Sequence, residues 1–217
     1  MRFQFQAFVI LVFSLSLGKI IANPNFVFII ADDCTFRDIG CYGGQAKTPN
    51  IDRLATEGMR FTRCFQAAPM CSPTRHNLYT GIYPVKSGAY PNHTFVKDGI
   101  KSVVHYLKPK GYRVALSGKT HINPRTSFPF EYSTKGNNPD LDKIDQLFED
   151  SVKEKTPFCL FACSNDPIHR GTKGISRITT LRKLNCHPIL WIHPKPEKLI
   201  ANTLPKSVIM IGRLDKF

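Results

Sequence analysis

The chain has 217 residues, enough for one substantial hydrophobic core, and a formal net charge of +14. A charge of this size is typical of nucleic-acid-binding proteins, but here it is unevenly distributed. Residues 168–217 contribute +8 and residues 1–167 contribute +6, of which Arg2 and Lys19 supply two positive charges near the N-terminus. The region that would build the core therefore has an ordinary charge, and we expect no nucleic-acid partner.

Residues 1–22 have the layout of a secretory signal peptide. Arg2 precedes an apolar run over residues 7–17, and small and polar residues surround Ala22. The run is shorter than the roughly 20 residues that a helix needs to cross a bilayer. We expect cleavage near Ala22, export to a secreted, periplasmic or lysosomal location, and no membrane span in the mature chain.

Buried strands alternate with helices over residues 23–167. The predicted elements, in chain order, are strand 25–31, a helix from Pro49 that ends at Gly58, strand 60–66, a helix with Ser72 as N-cap and Pro73 as its first residue, an amphipathic helix at 99–108 closed by Gly111, strand 112–117, helix 140–154 and strand 158–164. This alternation indicates an α/β fold with a doubly wound, mostly parallel sheet.

Polar motifs follow three of the predicted strands. Asp32-Asp33 follows the first strand, the segment 118–121 (GKTH) follows another, and Asn165-Asp166 follows the last. Ligands of such sheets bind beyond the carboxyl ends of the strands, so these motifs should lie at one edge. Adjacent carboxylates are hard ligands that suit calcium or magnesium, although taken alone they are more typical of a solvated acidic turn.

The segment Cys71-Ser72-Pro73-Thr74-Arg75 reads C-x-P-x-R, which resembles the motif of the type I sulfatases. The run FIIADDCTFRDIGCYG before it and SGKTHINP after it resemble the same family, in the same order. The resemblance extends over residues 25–167 and implies the sheet of the alkaline phosphatase and sulfatase type.

The resemblance also implies a set of roles. A formylglycine-generating enzyme would oxidise Cys71 to formylglycine, whose hydrate attacks the sulfur of a sulfate ester. Asp32 and Asp33 would bind one calcium ion, and Arg75 would donate to the diol and the sulfate. Lys119 would neutralise sulfate charge, and His121 would be the base that breaks the sulfated intermediate.

Three further segments of the sequence resemble one branch of the sulfatase family in particular. SGKTHINP, FPFEY and SNDP are most similar to the heparan N-sulfatase (sulfamidase) branch. We therefore expect a sulfated carbohydrate, or another sulfate ester, as substrate, and leave open whether the bond cleaved is O–S or N–S. Asn92-His93-Thr94 also fits a glycosylation sequon, a triplet that is frequent by chance.

Two alternatives remain open. The seven cysteines and the basic tail are compatible with a secreted disulfide-bonded or polyanion-binding protein, which would require Cys71 to be bridged. The odd count leaves at least one cysteine unpaired, and Cys71 is our candidate. A related phosphatase or phosphodiesterase would place Ser or Thr as nucleophile with two zinc ions. Cys71 within CSPTR disfavours that class, and no Cys/His spacing indicates a structural zinc site.

The resemblance stops after Pro167, and we predict that residues 168–217 are translated out of frame and form no domain. Shifting the inferred codons by one base restores HTPWNKGDFS and further sulfatase-like sequence, with a histidine directly after Pro167. On this hypothesis the calcium site and the sheet are incomplete, so the chain as written should bind calcium weakly and turn over little. Sequencing of the locus should reveal a lost base near codon 167; an intact frame that encodes the basic tail would refute the hypothesis.

Overall fold

The computed structural model describes residues 23–35, 38–133 and 136–165, together with the backbone of two strands at 186–191 and 209–214. The predicted signal peptide at 1–22 lies outside the described residues, as does most of the segment 168–217. Both assignments therefore stay predictions.

The described elements alternate between strands and helices, with 3-10 turns at Gly40–Tyr42 and Lys108–Lys110. In chain order they are β1 (Asn25–Ala31), α1 (Pro49–Glu57), β2 (Met59–Arg60), α2 (Cys71–Thr80), α3 (Pro84–Ser87), α4 (Val103–Leu107), β3 (Arg113–Gly118), β4 (Glu131–Ser133), α5 (Leu141–Glu154), β5 (Phe158–Ser164), β6 (Cys186–Trp191) and β7 (Ile209–Leu214).

The strands form one sheet in the order β2-β6-β7-β1-β5-β3-β4. β1, β5, β3 and β4 are parallel to one another, and β7 lies antiparallel to both β1 and β6. The prediction of a doubly wound, mostly parallel α/β sheet is confirmed. β6 and β7 belong to the segment 168–217, whose reading-frame origin stays a prediction.

Both faces of the sheet are buried, because successive side chains of a strand point to opposite faces. On β5, Phe158, Leu160 and Ala162 face a cluster that includes the apolar sides of α1 and α5. The alternate residues Phe161 and Cys163 face the other cluster, to which α2 and α4 contribute. The continuous apolar run of β5 is the consequence of this double burial. No helix in the described part of the chain is long and apolar enough to cross a membrane.

Three predicted boundaries were wrong. Strand 60–66 is reduced to β2, which pairs with β6 only at Met59 and Arg60. The residues after β2 run as a loop held by other contacts, since the carbonyl of Phe61 accepts from the Tyr42 hydroxyl at 2.8 Å. The side chain of Gln66 accepts from the Thr74 hydroxyl at 3.1 Å.

The other two corrections concern helix starts. α2 begins at Cys71 rather than after Ser72, which puts Pro73 at the third helical position. Proline is acceptable there because the first four N–H groups of a helix have no intrahelical acceptor. α4 begins only at Val103, since Ser102 forms the capping box that starts it.

Candidate active site

The carboxyl ends of β1, β5 and β3 meet at one edge of the sheet, which brings the predicted motifs together. The N–H of Asp32 donates to the carbonyl of Ser164 at 3.1 Å, and the N–H of Lys119 donates to the carbonyl of Cys163 at 3.0 Å. Gly118 allows this approach. Its φ is +94°, and a Cβ there would lie 1.9 Å from the Cys163 carbonyl oxygen.

Asp32 is the centre of the site. Its Oδ1 accepts from the Arg75 guanidinium at 3.3 Å, and its Oδ2 forms a short ion pair with the Lys119 ammonium. The side chains of Asp32 and Arg75 are only 5 % and 2 % exposed, and that of Lys119 is 17 % exposed. A buried carboxylate needs such partners, because burial of an uncompensated charge is strongly unfavourable.

Arg75 joins three elements through one guanidinium. Besides Asp32, it donates to the carbonyl of Lys119 at 2.9 Å, so α2 is tied to the ends of β1 and β3. Burial alone would lower the pKa of Arg75, but Cys163, Tyr79 and Asp32 raise it above its usual value. Arg75 is therefore a permanent buried cation.

Cys71 is the first residue of α2 and lies one turn before Arg75, on the same side of the helix. It is buried, with 6 % of its surface exposed. Its Sγ lies 3.7 Å from the side-chain Oδ1 of Asn92, and the same oxygen accepts from the N–H of Ser72 at 3.3 Å. The helix start thus receives its cap from a loop 20 residues away, since Met70 provides no side-chain cap.

His76 fastens α2 to the segment after His121. Its Nδ1 lies 2.8 Å from the carbonyl of Ser72, and its Nε2 contacts the backbone of Asn123 at 3.2 Å. The side chain is fully buried, and burial lowers the pKa of His76, although the two backbone contacts oppose the shift. A neutral imidazole is consequently part of the scaffold beneath the site.

His121 follows Lys119 and forms a pair with His93. The distance from His121 Nε2 to His93 Nδ1 is 2.7 Å, while His121 Nδ1 is buried and has no hydrogen-bond partner among the described residues. Burial lowers the pKa of His121 to about 4, assisted by the positive charges of Lys119 and Arg75. His121 is therefore neutral at pH 7 and able to accept a proton.

A small cavity opens beside these side chains. It measures about 150 Å³, and its lining residues are Ser72, His93, Thr94, Phe95, His121, Ile122 and Asn123. Pockets that enclose a whole drug-sized ligand are typically about 300–1,000 Å³. The cavity is therefore smaller than such pockets, and of the predicted site residues only His121 is among its lining residues.

The described residues fit calcium in donor type but not in number. Asp32 and Asp33 follow each other at the end of β1, Asp33 is exposed, and its φ of +52° turns the chain away from the strand direction. Calcium takes six to eight oxygen ligands, and no group of three or more His, Cys, Asp or Glu side chains that could hold a metal occurs within the described ranges.

The structure thus gathers Arg75, Lys119 and Asp32 into one buried charge cluster. The predicted base lies next to it, and the predicted nucleophile lies one helical turn away from it. Cys41, Cys64, Cys159 and Cys163 are free thiols in the structure.

Sequence reasoning missed Asn92 and His93 as parts of the site, and it missed His76 as their neighbour in the scaffold. Asn92 and His93 lie more than 20 residues from Cys71, and the sequence singled them out only as part of a glycosylation sequon, which says nothing about a contact with Cys71 or His121.

Comparison with known proteins places these observations in a family. The family model described as Sulfatase matches residues 24–159, a range that contains all six predicted site residues. The ulvan-active sulfatase of Formosa agariphila is 38 % identical over 151 residues, which is 67 % of this chain and 30 % of that protein. Human steryl-sulfatase is 40 % identical over 179 residues, which is 77 % of this chain and 25 % of that protein.

A solved structure gives a similar result. The protein BT4656, in complex with its substrate D-glucosamine-2-N,6-O-disulfate, matches with a TM-score of 0.54 and 26 % identity over 64 % of this chain and 33 % of that chain. The chain spans less than a third of the length of the curated relatives named above.

Acidification should destabilise the folded chain through its neutral histidines. The pKa of His76 lies below its unfolded value of about 6.5. The unfolded state therefore binds more protons between the two values, so this contribution to stability is fully present well above pH 6.5 and is lost as the pH falls below about 6.5 towards the folded-state pKa. His121 acts with the same sign down to pH 4.

Urea unfolding midpoints at pH 7.5, 6 and 5 measure this effect. His76→Gln should be less stable at pH 7.5 but should lose less stability on acidification than the wild type. A wild-type midpoint that does not change with pH, or an equal slope in His76→Gln, contradicts the assignment.

Proposed function

Because the chain belongs to the sulfatase family, we propose that the whole protein hydrolyses a sulfate ester or a sulfamate, with formylglycine at position 71 and calcium. The observation that carries this proposal is the convergence of Arg75 and Lys119 on Asp32, beside the start of the helix that begins with Cys71. A sulfate group needs fixed positive charge, and a nucleophile near that charge, and these residues supply both.

Cys71 is suited to the nucleophile's position by its place at the first residue of α2. The free N–H groups and the dipole of a ten-residue helix favour an anion at this end. Conversion of Cys71 to formylglycine by a formylglycine-generating enzyme would supply the hydrated aldehyde that attacks sulfur. Since the thiol is buried in the folded chain, the conversion would have to precede folding or coincide with it.

Arg75 and Lys119 would hold the sulfate. Each is already oriented by Asp32, so little side-chain entropy remains to be lost when an anion binds. Preorganised cations in a site with little water stabilise developing negative charge more strongly than the same groups in water. Asp32 and Asp33 would bind the calcium ion with further ligands from the rest of the whole protein.

His121 would act as the base. It is neutral at pH 7 because burial and two neighbouring cations lower its pKa to about 4. A sulfate bound beside Lys119 would oppose these positive charges and make His121 more basic. His121 would thus become an effective proton acceptor only when substrate is present.

The substrate is proposed to be a sulfated carbohydrate. Two of the similar proteins carry names that point to sulfated sugars, the ulvan-active sulfatase and the protein in complex with D-glucosamine-2-N,6-O-disulfate. Together with the segments SGKTHINP, FPFEY and SNDP, this supports the sulfamidase branch as the more specific proposal. The N-terminal segment supports export of the protein.

Mass spectrometry of the peptide that contains Cys71 tests the proposed modification. After co-expression with a formylglycine-generating enzyme, the peptide should show the mass loss that accompanies replacement of the thiol by an aldehyde. The peptide with Cys64, a second buried cysteine, is the internal control and should keep its thiol. A disulfide at Cys71 would instead support the alternative of a secreted disulfide-bonded protein.

Replacement of Lys119 tests the proposed anion site. In the whole protein, Lys119→Ala should lower kcat for an aryl sulfate by roughly 100- to 1,000-fold, the usual cost of losing one group that stabilises an oxyanion. Lys86→Ala, at an exposed position of α3, is the matched control and should retain the wild-type rate. Equal activity of Lys119→Ala and the wild type would refute the role of Lys119.

A further inference from the structure

The loop between α3 and α4 carries two polar side chains into the site. Asn92 reaches the start of α2, and His93 reaches His121. The loop is anchored beside the site, because the N–H of Val96 donates to the carbonyl of Asn123 at 3.2 Å. Asn92 and His93 therefore lie between the predicted nucleophile and the predicted base.

The start of α2 determines the orientation of the Asn92 amide. The backbone N–H of Ser72 can only donate, so the side-chain atom of Asn92 that lies 3.3 Å from it must be the carbonyl oxygen. The Cys71 thiol lies against the same oxygen. The amide NH2 of Asn92 is consequently the group directed at His93, with 3.2 Å between Nδ2 and the ring Nε2.

The order of donor and acceptor set by Asn92 continues through the imidazole rings of His93 and His121. Because Asn92 donates to Nε2 of His93, that nitrogen is an acceptor and the neutral ring carries its proton on Nδ1. Nδ1 of His93 lies 2.7 Å from Nε2 of His121, so it donates and His121 Nε2 accepts. The proton of neutral His121 is then on Nδ1.

We propose that Asn92 and His93 are positioning residues for His121: they extend the donor direction set at the start of α2, so that His121 carries its proton on the buried Nδ1 while its Nε2 accepts the N–H of His93. The catalytic meaning of this arrangement rests on the proposed function, in which His121 is the base and its Nε2 would take up a proton once the contact with His93 opens. The tautomers themselves do not depend on that function.

Backbone strain is an independent sign that this contact is maintained. His93 has a φ of +65° and His121 a φ of +50°, a region that residues with side chains rarely occupy. Such strain persists only where surrounding contacts enforce it, and it is concentrated at functional sites. The two rings lie 4.6 Å apart between centroids, so the strained residues contact each other directly.

Histidine ring NMR of the full 217-residue chain tests the proposal without an activity assay. Long-range proton–nitrogen spectra at pH 8.5 should show the proton on Nδ1 of His93 and of His121. Asn92→Asp keeps an oxygen for the Ser72 N–H but replaces the NH2 donor by an acceptor. In this variant the ring proton of His93 and the ring proton of His121 should therefore both move from Nδ1 to Nε2.

Asn138→Asp is the matched control. It makes the same chemical change at a residue whose Oδ1 accepts from the N–H of Asn165, outside the contacts between Asn92 and His121, and should leave both tautomers as in the wild type. A proton on Nε2 of His121 in the wild type, or unchanged tautomers in Asn92→Asp, would overturn the proposal.

A second variant covers the case in which Asn92→Asp does not fold. His93→Gln removes the ring that directs His121, so His121 should shift towards the Nε2-protonated form that an isolated neutral histidine side chain prefers. His121 protonated on Nδ1 as in the wild type would overturn the proposal. If the whole protein does not hydrolyse an aryl sulfate while the 217-residue chain shows the expected tautomers, the proposed function fails and the positioning contact stands.

Discussion

The buried carboxylate of Asp32 is the interaction on which the arrangement of the site depends. It lies at the end of β1 and pairs with Arg75 from α2 and with Lys119 from the segment after β3. Three elements that are distant in sequence are joined at a single charge. Removal of one partner from a buried ion pair typically costs about 3–5 kcal/mol, because the remaining charge stays uncompensated. The contacts that would bind an anion are therefore also contacts that hold the sheet edge together.

The charges of Lys119 and Arg75 also influence the pKa of a neighbouring histidine. His121 lies close enough to Lys119 and Arg75 for their positive charges to lower its pKa, in addition to the effect of burial. Burial is the main cause that lowers the pKa of His76, and its two ring nitrogens contact the backbone of Ser72 within α2 and the backbone of Asn123. His121 therefore suits the proton transfer that we propose, whereas His76 holds α2 to the segment after His121, and the difference follows from whether charged or backbone groups surround the ring.

Local strain is concentrated where the elements meet. Asp33, His93 and His121 all have positive φ values, and each lies at the carboxyl edge of the sheet or in contact with a residue there. At Gly118 the backbone lies so close to the carbonyl of Cys163 that a residue with a side chain would not fit. The stability needed to maintain these conformations comes from the two apolar clusters on the faces of the sheet, which contain few polar side chains. A rigid scaffold with a strained edge is the usual way in which an α/β sheet carries a reactive site.

The sequence by itself determined the strands β1, β3 and β5 to within one residue, because doubly buried strands leave continuous apolar runs. It also identified the residues beyond their carboxyl ends and the C-x-P-x-R motif, since both are contiguous in the chain. Strand 60–66 and the start of α2 were wrong, because strand length depends on a distant partner and the first turn of a helix tolerates proline at several positions. The contacts of Asn92 and His93 were decided only by the tertiary structure. Asn92 caps a helix 20 residues away, and His93 contacts a histidine 28 residues further along the chain. Neither contact produces a periodicity, because both arise from folding rather than from the local backbone.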